Sequence, residues 1–349
     1  MSNTHTIQHL QELQGLPLNL KVKLTKQRIR EWVGHFGQDG VYVSFSGGKD
    51  STVLLHIVRE EYPDVPAVFV DTGLEYPEIR EFVKTFDNVE WLKPKKNFRQ
   101  VIQDYGYPFI SKEVAQTVYE VKRRIMRGGQ GASYRLKKLN GEAIDKKTGK
   151  PSTYNIPKWK FLLDAPFVIS HMCCNTMKKS PAKAYEKKTG RKPITGQMAS
   201  ESRLRTTKWL QNGCNAFCQK RQISNPMSFW TEQDVLLYVY THNIQIASVY
   251  GKVVKDDCEN VEGQMDWSDY GLFELERPSL KTTGCDRTGC VFCGFGCHRE
   301  KEGEGRFERL KITHPQLYKY IMKPWNEGGL GYKEVIDWLN EHGGLHIRY

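Results

Sequence analysis

The sequence lacks a long hydrophobic run, a signal-peptide core and the cysteine density of a disulfide scaffold. No apolar stretch approaches the about 18 residues that a membrane span needs, so we expect no membrane contact. The first five residues are polar and introduce no apolar core, which predicts a protein that is not secreted. Nine cysteines among 349 residues are odd in number and unevenly spaced, which argues against a disulfide framework. We therefore expect a cytoplasmic protein.

The composition is that of a folded protein. Hydrophobic residues make up 39% of the chain and charged residues 26%, with a mean hydropathy of -0.60. These values are typical of soluble globular proteins and exclude a disordered or fibrous chain. The length suits two domains, or one large domain with an appendage.

The positive charge is concentrated in one segment. Lysine and arginine number 52 against 40 acidic residues, a net charge of +12, and residues 121–160 hold twelve basic and two acidic side chains, which is +10 of that excess. Tyr134, Tyr154 and Trp159 are interleaved with them. Phosphate neutralisation with base stacking uses such a segment, but a solvated lysine-rich insertion has the same composition. Both interpretations remain open from the sequence.

Short apolar runs alternate with amphipathic stretches in the first hundred residues. Strands are predicted at 41–45, 67–70 and 89–92, and helices at 25–36, at 50–60, in a stretch ending at 86, and at 97–105. This alternation predicts βαβ units and a parallel sheet. Ligands of such sheets bind at the carboxyl ends of the strands. Short amphipathic helices are also predicted at 307–312, 315–322 and 332–339.

The loop Ser46-Gly47-Gly48-Lys49-Asp50-Ser51 leaves the first predicted strand and opens a helix. Backbone N–H groups and the helix dipole would converge there on an anion-sized site. The two glycines allow close approach of a phosphate, the serines add hydroxyl donors, and Lys49 adds a positive charge. The spacing is not that of a Walker A loop. We interpret the loop as a phosphate-binding loop rather than an ordinary glycine turn.

This loop resembles the pyrophosphate loop of the adenine nucleotide alpha-hydrolases, the PP-loop superfamily, and in particular that of the phosphoadenosine phosphosulfate (PAPS) reductase family. Later motifs of that family are matched in order by four sets of residues: Asp71, Thr72, Gly73, Glu75 and Pro77; Cys173, Cys174, Lys178 and Pro181; Gly196, Glu201, Ser202 and Arg205; Pro226, Trp230, Thr231, Asp234 and Val235. The resemblance covers about residues 24–240, interrupted by the basic segment.

The resemblance implies an α/β fold, with a Rossmann-like parallel sheet and helices on both of its faces. On that basis we expect an adenine-nucleotide-binding domain over residues 1–240, with residues 121–160 as a basic insertion. A small, helical, cysteine-rich region is expected over residues 241–349.

The resemblance also implies the residues of the site. Nucleotide binding, to ATP or PAPS, is expected of Ser44, Ser46, Gly47, Gly48, Lys49, Asp50, Ser51, Asp71, Thr72 and Gly73. Catalytic roles are expected of Lys49, Asp50, Ser202 and Arg205. The broader group cleaves ATP at its alpha-phosphate, leaves AMP on an acceptor and releases pyrophosphate, a reaction driven mostly by positioning and charge neutralisation. Lys49, Arg205 and a Mg²⁺ ion held by the phosphates and by Asp50 or Asp71 would neutralise the developing charge.

Two departures from the reductase pattern bear on function. The reductases attack the sulfate with a cysteine in a motif of the form Glu-Cys-Gly-(Leu/Ile)-His, which residues 341–346 echo without a cysteine. Met198 also stands where the family usually has an arginine. A sulfonucleotide reductase without its nucleophile would be inactive in that reaction, so sulfonucleotide reduction becomes the second interpretation.

Four cysteines, Cys285, Cys290, Cys293 and Cys297, follow one another with the spacing C-x4-C-x2-C-x3-C. The first three share the spacing of plant-type iron–sulfur ligation, whereas zinc sites usually have two pairs separated by a longer loop. We therefore predict a 4Fe-4S cluster, with structural zinc as the alternative.

The fourth cluster ligand is open. Some iron–sulfur members of the resembling family use the Cys-Cys pair, which implies that Cys173 or Cys174 could replace Cys297. Cys258 has no evident partner in the sequence.

Three functions are compatible with these features. The preferred one is an enzyme that adenylates an acceptor with ATP for sulfur transfer to a nucleic acid, with the basic segment binding the nucleic acid and a sulfur donor protein as partner. The second is a sulfonucleotide (PAPS or adenosine phosphosulfate) reductase. The third is a nucleotide-dependent subunit that binds nucleic acid without catalysis.

Overall fold

The computed structural model describes residues 5–129, 133–256 and 279–349. The chain forms two compact units. Unit 1 comprises Met1–Asp71, Glu75–Leu92 and Ala182–Thr288, and unit 2 comprises Thr72–Leu74, Lys93–Pro181 and Gly289–Tyr349. This division differs from the expected boundary at residue 240, because the chain leaves unit 1 after its third strand and returns to it near residue 182. A boundary drawn along the sequence cannot represent such interleaving.

Ten strands and fourteen α-helices lie within the described ranges. The strands are β1 (Val41–Ser44), β2 (Ala67–Val70), β3 (Val89–Leu92), β4 (Phe109–Ile110), β5 (Lys192–Ile194), β6 (Asn215–Ala216), β7 (Ile223–Ser224), β8 (Val253–Lys255), β9 (Leu280–Thr282) and β10 (Gly294–Phe295). The helices are α1 (Ile7–Gly15), α2 (Leu18–Phe36), α3 (Lys49–Glu61), α4 (Pro77–Lys84), α5 (Phe98–Tyr105), α6 (Lys112–Met126), α7 (Tyr134–Asn140), α8 (Met172–Cys174), α9 (Ser180–Thr189), α10 (Arg203–Asn212), α11 (Glu232–Thr241), α12 (Arg306–Thr313), α13 (Pro315–Met322) and α14 (Tyr332–Gly343).

A six-stranded sheet forms the core of unit 1, in the order β3-β2-β1-β5-β7-β6. Every neighbouring pair in it is parallel except β6 and β7 at one edge. Strand β1 is buried in its first three residues and pairs on both sides, as expected for a strand within a parallel sheet. The α/β class with a mostly parallel sheet is therefore confirmed, and so are the three predicted strands.

The helices that follow these strands also agree with the apolar periodicity. Asn97 caps α5 through a reciprocal capping box with Gln100, which fixes the start of that helix. On one face of the sheet, Tyr42 of β1 packs edge-on against Tyr185 of α9, with ring centroids 5.2 Å apart. The carboxyl ends of β1 and β2 remain available for loops.

An ion pair ties two helices of unit 1 together. Lys21 of α2 and Asp234 of α11 are 0% and 1% exposed, and their charged atoms lie 2.7 Å apart. Beside them, Trp230 donates from its indole N–H to the hydroxyl of Thr25 at 2.9 Å. Both Trp230 and Asp234 belong to the last matched motif, whose role here is to hold α2 against α11.

Unit 2 is built around a short parallel pair. Phe109 of β4 lies opposite Gly294 of β10, and a Cβ on Gly294 would come 2.6 Å from the Phe109 ring. Phe109 also packs against Tyr332 of α14 at 5.1 Å between centroids. The three predicted C-terminal helices are present as α12, α13 and α14. No helix in the described part of the chain is both long and apolar enough to span a membrane.

Candidate nucleotide site and cysteine segment

The predicted phosphate loop connects the end of β1 to the start of α3. Gly48, the N-cap of α3, has no side chain that could accept from the helix, and the first N–H of the helix, that of Lys49, donates to the hydroxyl of Tyr250. Inside the loop the hydroxyls of Ser46 and Ser51 lie 3.0 Å apart, and Ser51 donates to the carbonyl of Gly48 at 2.9 Å. A helix N-terminus with this arrangement provides donors and a positive dipole end for an anion.

Gly47 is required by both conformation and space. Its φ is +70°, and a Cβ at this position would come 2.8 Å from methyl groups of Ile79 and Val83 in α4. A left-handed conformation favours glycine, because other residues carry a Cβ that crowds the next carbonyl. The approach of α4 therefore fixes the shape of the loop.

Lys49 is buried and fully engaged. It is 4% exposed, and its ammonium lies 2.6 Å from a carboxylate oxygen of Glu232. The same ammonium donates to the backbone carbonyl of Asp286, and its nitrogen lies 5.6 Å from the centre of the Tyr250 ring. The Tyr250 hydroxyl, bonded to Thr288, accepts a hydrogen bond from the Lys49 backbone N–H.

Asp50 lies beside the loop in a strongly electrostatic environment. Burial raises the pKa of its carboxyl, and the charges of Lys49, Arg287 and Arg205 oppose that shift. One carboxylate oxygen is buried and has no hydrogen-bond partner. Such an atom is costly to bury unless a ligand or cation satisfies it.

Ser202 and Arg205 lie at the start of α10. Ser202 is the N-cap and its hydroxyl accepts from the backbone N–H of Arg205. Arg205 forms an ion pair with Glu201. Burial lowers the pKa of Arg205, although the nearby Asp50 opposes this shift. Met198, where the family usually has an arginine, is 1% exposed and adds no charge to the site.

The remaining predicted nucleotide-binding residues follow β1 and β2. Ser44 ends β1 and is half-buried. Asp71 is 6% exposed and pairs with Arg80 at 2.9 Å. In unit 2, the Thr72 hydroxyl accepts from the backbone N–H of Leu74 at 3.2 Å, and Gly73 has a φ of +72°.

Three residues around the loop escaped sequence reasoning: Glu232, Tyr250 and Arg287. Arg287 lies 3.9 Å from Glu201 and 3.7 Å from Glu232, so the two carboxylates share its charge. Glu232 could have been found, because it stands between Thr231 and Asp234 of a matched motif. Tyr250 carries no sequence signal that distinguishes it from the other sixteen tyrosines.

The predicted cluster ligands are divided between the two units. Cys285 lies in unit 1, whereas Cys290, Cys293 and Cys297 lie in unit 2 with Cys173 and Cys174. None of the eight cysteines in the described ranges forms a disulfide. Cys258 lies outside the described residues.

Within unit 2 the pair Cys173 and Cys174 is close to Cys290 and Cys293. Cys174 interacts electrostatically with Cys293, and Cys173 with both Cys290 and Cys293. A hydrogen bond between the pair lowers the pKa of Cys174 to about 6, helped by nearby lysines, whereas burial raises the pKa of Cys297 to about 12. The spacing of the cysteines in the sequence does not show whether this pair or Cys297 would supply the fourth cluster ligand.

The donor set is thiol-rich, as iron–sulfur and zinc sites require. However, no three histidine, cysteine or acidic side chains in the described ranges are arranged to hold a metal ion. The arrangement as it stands does not form a metal centre, so the cluster stays a prediction.

The basic segment is a folded part of unit 2, although residues 130–132 lie outside the described ranges. Lys138 is buried in an ion pair with Glu113 at 2.7 Å, and Arg135 pairs with Glu120. Part of the +10 charge therefore holds the segment together. Arg123, Arg124 and Arg127, at the end of α6, are exposed.

The sheet and the loop define the class of protein: an α/β protein in which a glycine loop leads from the carboxyl end of a parallel strand into a helix, the place where such sheets bind ligands. Residues 40–294 match the phosphoadenosine phosphosulfate reductase domain. This match covers well over half of the chain, which therefore belongs to that family.

Matches to individual proteins are shorter. A stretch of 73 residues is 38% identical to an uncharacterised protein of Methanocaldococcus jannaschii, covering 20% of this chain and 18% of that protein. A stretch of 76 residues is 34% identical to phosphoadenosine 5'-phosphosulfate reductases of Xylella fastidiosa and Photorhabdus laumondii, covering 22% of this chain and 32% and 31% of theirs. The matched stretch thus spans less than a third of each relative.

One solved structure covers more of the chain at low similarity. The crystal structure of the phosphoadenylyl-sulfate reductase of Candida auris, a phosphate complex, aligns over 71% of this chain and 92% of its own. Its sequence identity is 13% and its TM-score is 0.35.

Proposed function

We propose that the loop Ser46–Ser51 binds the phosphates of ATP and that the protein transfers AMP to an acceptor, releasing pyrophosphate. The observation that carries this proposal is the N-terminus of α3, which begins after the glycine Gly48, beside the buried ammonium of Lys49. A positive helix end and a desolvated cation together favour a polyanionic ligand more strongly than either does alone.

In the proposed reaction, a nucleophile of the acceptor attacks the alpha-phosphorus of ATP. A bond forms between the acceptor and the alpha-phosphate, the bond to the beta-phosphate oxygen breaks, and pyrophosphate leaves. Lys49 and Arg205 would stabilise the negative charge that develops on the phosphate oxygens, the main contribution a protein makes to such transfers. Ser202 would act through α10, by holding the helix start that carries Arg205.

Asp50 is the residue that best suits Mg²⁺. Its buried carboxylate oxygen without a partner is a hard oxygen donor of the kind magnesium prefers, whereas Asp71 is paired with Arg80. When bound, the ion would neutralise phosphate charge and orient the pyrophosphate leaving group.

We propose a nucleic acid as the acceptor and sulfur transfer as the purpose of adenylation, with a sulfur donor protein as partner. The support is the exposed arginines at the end of α6, which suit a polyanion. A 4Fe-4S cluster, or zinc, on Cys285, Cys290, Cys293 and Cys297, with Cys173 or Cys174 as the alternative to Cys297, is part of this proposal, and no step above depends on it.

Sulfonucleotide reduction is the second candidate, and the family membership favours it. The segment that echoes the reductase thiol motif gives it less support. This segment is one residue longer than the motif, so the cysteine position falls on His342 when counted from Glu341 and on Gly343 when counted back from His346. Both lie in α14, where the His342 ring stacks on Trp338 at 4.4 Å. A Cβ on Gly343 would come 2.5 Å from the Phe161 ring, so this segment is packed as a helix end.

The two candidates are separated by their products. Magnesium-ATP labelled at the alpha-phosphate, incubated with single-stranded RNA or DNA, should give labelled nucleic acid and pyrophosphate. PAPS or adenosine phosphosulfate with a dithiol should give no sulfite. Lys49→Ala should abolish pyrophosphate release and the exposed-surface control Lys188→Ala should retain it. Sulfite formation would replace the proposal with reduction, and nucleotide binding without either product would leave a non-catalytic binding subunit.

A further inference from the structure

Two cavities adjoin along α6 in unit 2. One has a volume of about 630 Å³ and the other about 620 Å³, and Tyr119, Arg123 and Arg127 line both. The two cavities therefore form one groove along the last two turns of the helix, which we call the α6 groove. Each cavity has the size of a small-molecule site.

The first cavity of the α6 groove has aromatic walls. Its apolar lining is Tyr105, Tyr107, Phe167, Trp325 and Met126. Tyr107 and Phe167 meet edge to face with centroids 6.0 Å apart. Tyr107 and Phe167 are only half-buried, so part of their ring surface is accessible, whereas the Arg99 guanidinium lies 4.3 Å from the centre of the Trp325 ring.

A close backbone contact shapes this wall. Gly106 has a φ of +102°, and a Cβ there would come 2.2 Å from the carbonyl oxygen of Val168. The next residue, Tyr107, donates its backbone N–H to that same carbonyl at 2.8 Å. The strand-like pairing of the two segments holds Tyr107 and Phe167 in place without an intervening helix.

The groove carries an excess of positive charge. Arg123, Arg124 and Arg127 line the second cavity with Arg135. The one carboxylate that lines this second cavity, that of Glu120, is paired with Arg135. In the first cavity Asp104 is paired with Lys96 at 2.6 Å, while Lys122 and Arg123 add positive charge. The acidic groups that line the groove are thus already neutralised, and its lining holds more basic than acidic side chains.

Apolar side chains at the same helix end are unusually exposed. Met126, which lines the first cavity, is 78% exposed, and its neighbour Ile125 is 57% exposed. The Arg123 guanidinium lies over the Tyr119 ring at 5.4 Å and donates to its hydroxyl at 2.9 Å. Cationic, aromatic and flexible apolar groups therefore alternate along one surface.

We propose that the α6 groove binds single-stranded nucleic acid, with phosphates on Arg123 and Arg127 and an unpaired base against Phe167. Phosphate neutralisation beside aromatic platforms is the chemistry by which proteins hold single strands. A duplex buries its base faces in its own stack, so it cannot use the aromatic cavity. This inference rests on the proposed function only in taking the bound strand as the acceptor.

Binding is tested by fluorescence anisotropy with labelled single-stranded RNA, single-stranded DNA and duplex DNA over a range of salt concentrations. The double variant Arg123→Ala with Arg127→Ala should weaken single-strand binding about tenfold or more. It should also flatten the salt slope by about 1.4, because each phosphate contact on a single strand contributes about 0.7. The double variant Lys187→Ala with Lys188→Ala removes the same charge from the exposed end of α9 and should bind as the wild type does.

The aromatic cavity is tested separately. Phe167→Leu keeps an apolar side chain but removes the ring, and should weaken binding about fivefold or more, while circular dichroism melting checks that the variant is folded. An abasic strand should bind wild type and Phe167→Leu equally. Duplex binding as tight as single-strand binding, equal effects of both charge variants, or an unchanged affinity of Phe167→Leu would each overturn the proposal.

The assay also separates this proposal from the proposed function. Without ATP present, Lys49→Ala should retain full affinity for the strand, since Lys49 does not line the α6 groove. A wild-type protein that binds the strand and never releases pyrophosphate would contradict adenylation and leave the groove standing. Pyrophosphate release with no groove-dependent strand binding would contradict the groove alone.

Discussion

The ammonium of Lys49 lies 2.6 Å from the carboxylate of Glu232, and the two residues are 183 positions apart in the chain. Lys49 is buried, whereas Glu232 is 38% exposed. Without a ligand, the carboxylate neutralises the cation of the phosphate loop. If the loop binds phosphate as we propose, the phosphate competes with Glu232 for the same ammonium, and the pair then limits the affinity of the loop for anions.

Removing the charge of Glu232 should therefore tighten nucleotide binding. We expect Glu232→Gln to lower the dissociation constant for ATP several-fold, because the phosphate no longer displaces a carboxylate. Lys49→Ala should raise it by about a hundredfold, equivalent to about 2.7 kcal/mol. Isothermal titration calorimetry with ATP measures both changes.

The stability of these variants serves as the control. Glu232 is partly exposed, so Lys49→Ala should cost only about 1 kcal/mol of unfolding free energy. A large loss of stability in Lys49→Ala would mean that its effect on binding is structural. Weaker ATP binding by Glu232→Gln would contradict the competition.

Gly47→Ala should destabilise the protein through its contact with α4. A positive φ costs a non-glycine residue about 1 kcal/mol, and the overlap with Ile79 and Val83 adds about 2 kcal/mol. Gly190 has a similar φ of +75° with open space around it, so Gly190→Ala should show the conformational cost alone. Urea denaturation measures the difference, and equal losses at both positions would show that α4 does not constrain the loop.

The loop was predictable because it is local. Its glycines, hydroxyls and lysine are consecutive, and the apolar runs on either side encode β1 and α3. The partners of Lys49 were not predictable in the same way. Glu232 and Asp286 reach it from 183 and 237 positions away, and no periodicity or motif spacing encodes a contact over such a distance.

The cysteines illustrate the same limit. Their spacing predicts that they act together, but the contacts divide Cys285 from Cys290 at a unit boundary that composition does not mark. The sequence left two interpretations of the basic segment open for a related reason. Composition counts Lys138 and Arg123 equally, whereas the structure buries Lys138 against Glu113 and leaves Arg123 exposed.

The pair of Lys21 and Asp234 should behave as a buried ion pair. Asp234 also accepts from the backbone N–H of Thr231 at 2.7 Å. Asp234→Ala should therefore cost about 3–5 kcal/mol, because it leaves an uncompensated buried ammonium. The double variant Lys21→Met with Asp234→Leu should recover most of that loss in urea denaturation. A double variant as unstable as Asp234→Ala would show that capping, and not the ion pair, holds α11.

His56 should make the protein less stable in mild acid. Its Nδ1 lies 2.9 Å from the Tyr238 hydroxyl, and burial lowers its pKa although Glu60 opposes the shift. The folded state then holds fewer protons than the unfolded state, whose histidine titrates near 6.5. Stability attributable to His56 should thus be constant above that value and fall as the pH drops below it.

The comparison is between wild type and His56→Gln, with thermal melting followed from about pH 7.5 to 5.5, on either side of the unfolded-state histidine pKa. The glutamine variant should lose less stability over this interval, whatever its stability at neutral pH. A steeper loss in the variant than in the wild type would contradict the lowered pKa.

The spacing of the four cysteines between residues 285 and 297 predicts that the protein binds a metal through particular thiols. Anaerobically purified protein should be brown and contain iron with acid-labile sulfide, and Cys290→Ser and Cys293→Ser should both remove the colour. Cys218→Ser is the matched control, because Cys218 is exposed and lies in unit 1 away from the segment. Colourless protein with stoichiometric zinc would contradict the iron–sulfur prediction.

The same measurement identifies the remaining ligands. Thiolate ligation of iron tolerates a serine poorly, so loss of iron in Cys174→Ser but not in Cys297→Ser would assign the Cys-Cys pair, and the reverse result would assign the linear C-x4-C-x2-C-x3-C set. Cys285→Ser is the decisive variant, because Cys285 belongs to unit 1. If it loses iron while Cys290→Ser does too, the metal links the segment that follows β9 to unit 2, and chelation should then lower the melting temperature of the whole chain. If Cys285→Ser keeps its iron, the ligands lie in unit 2 alone.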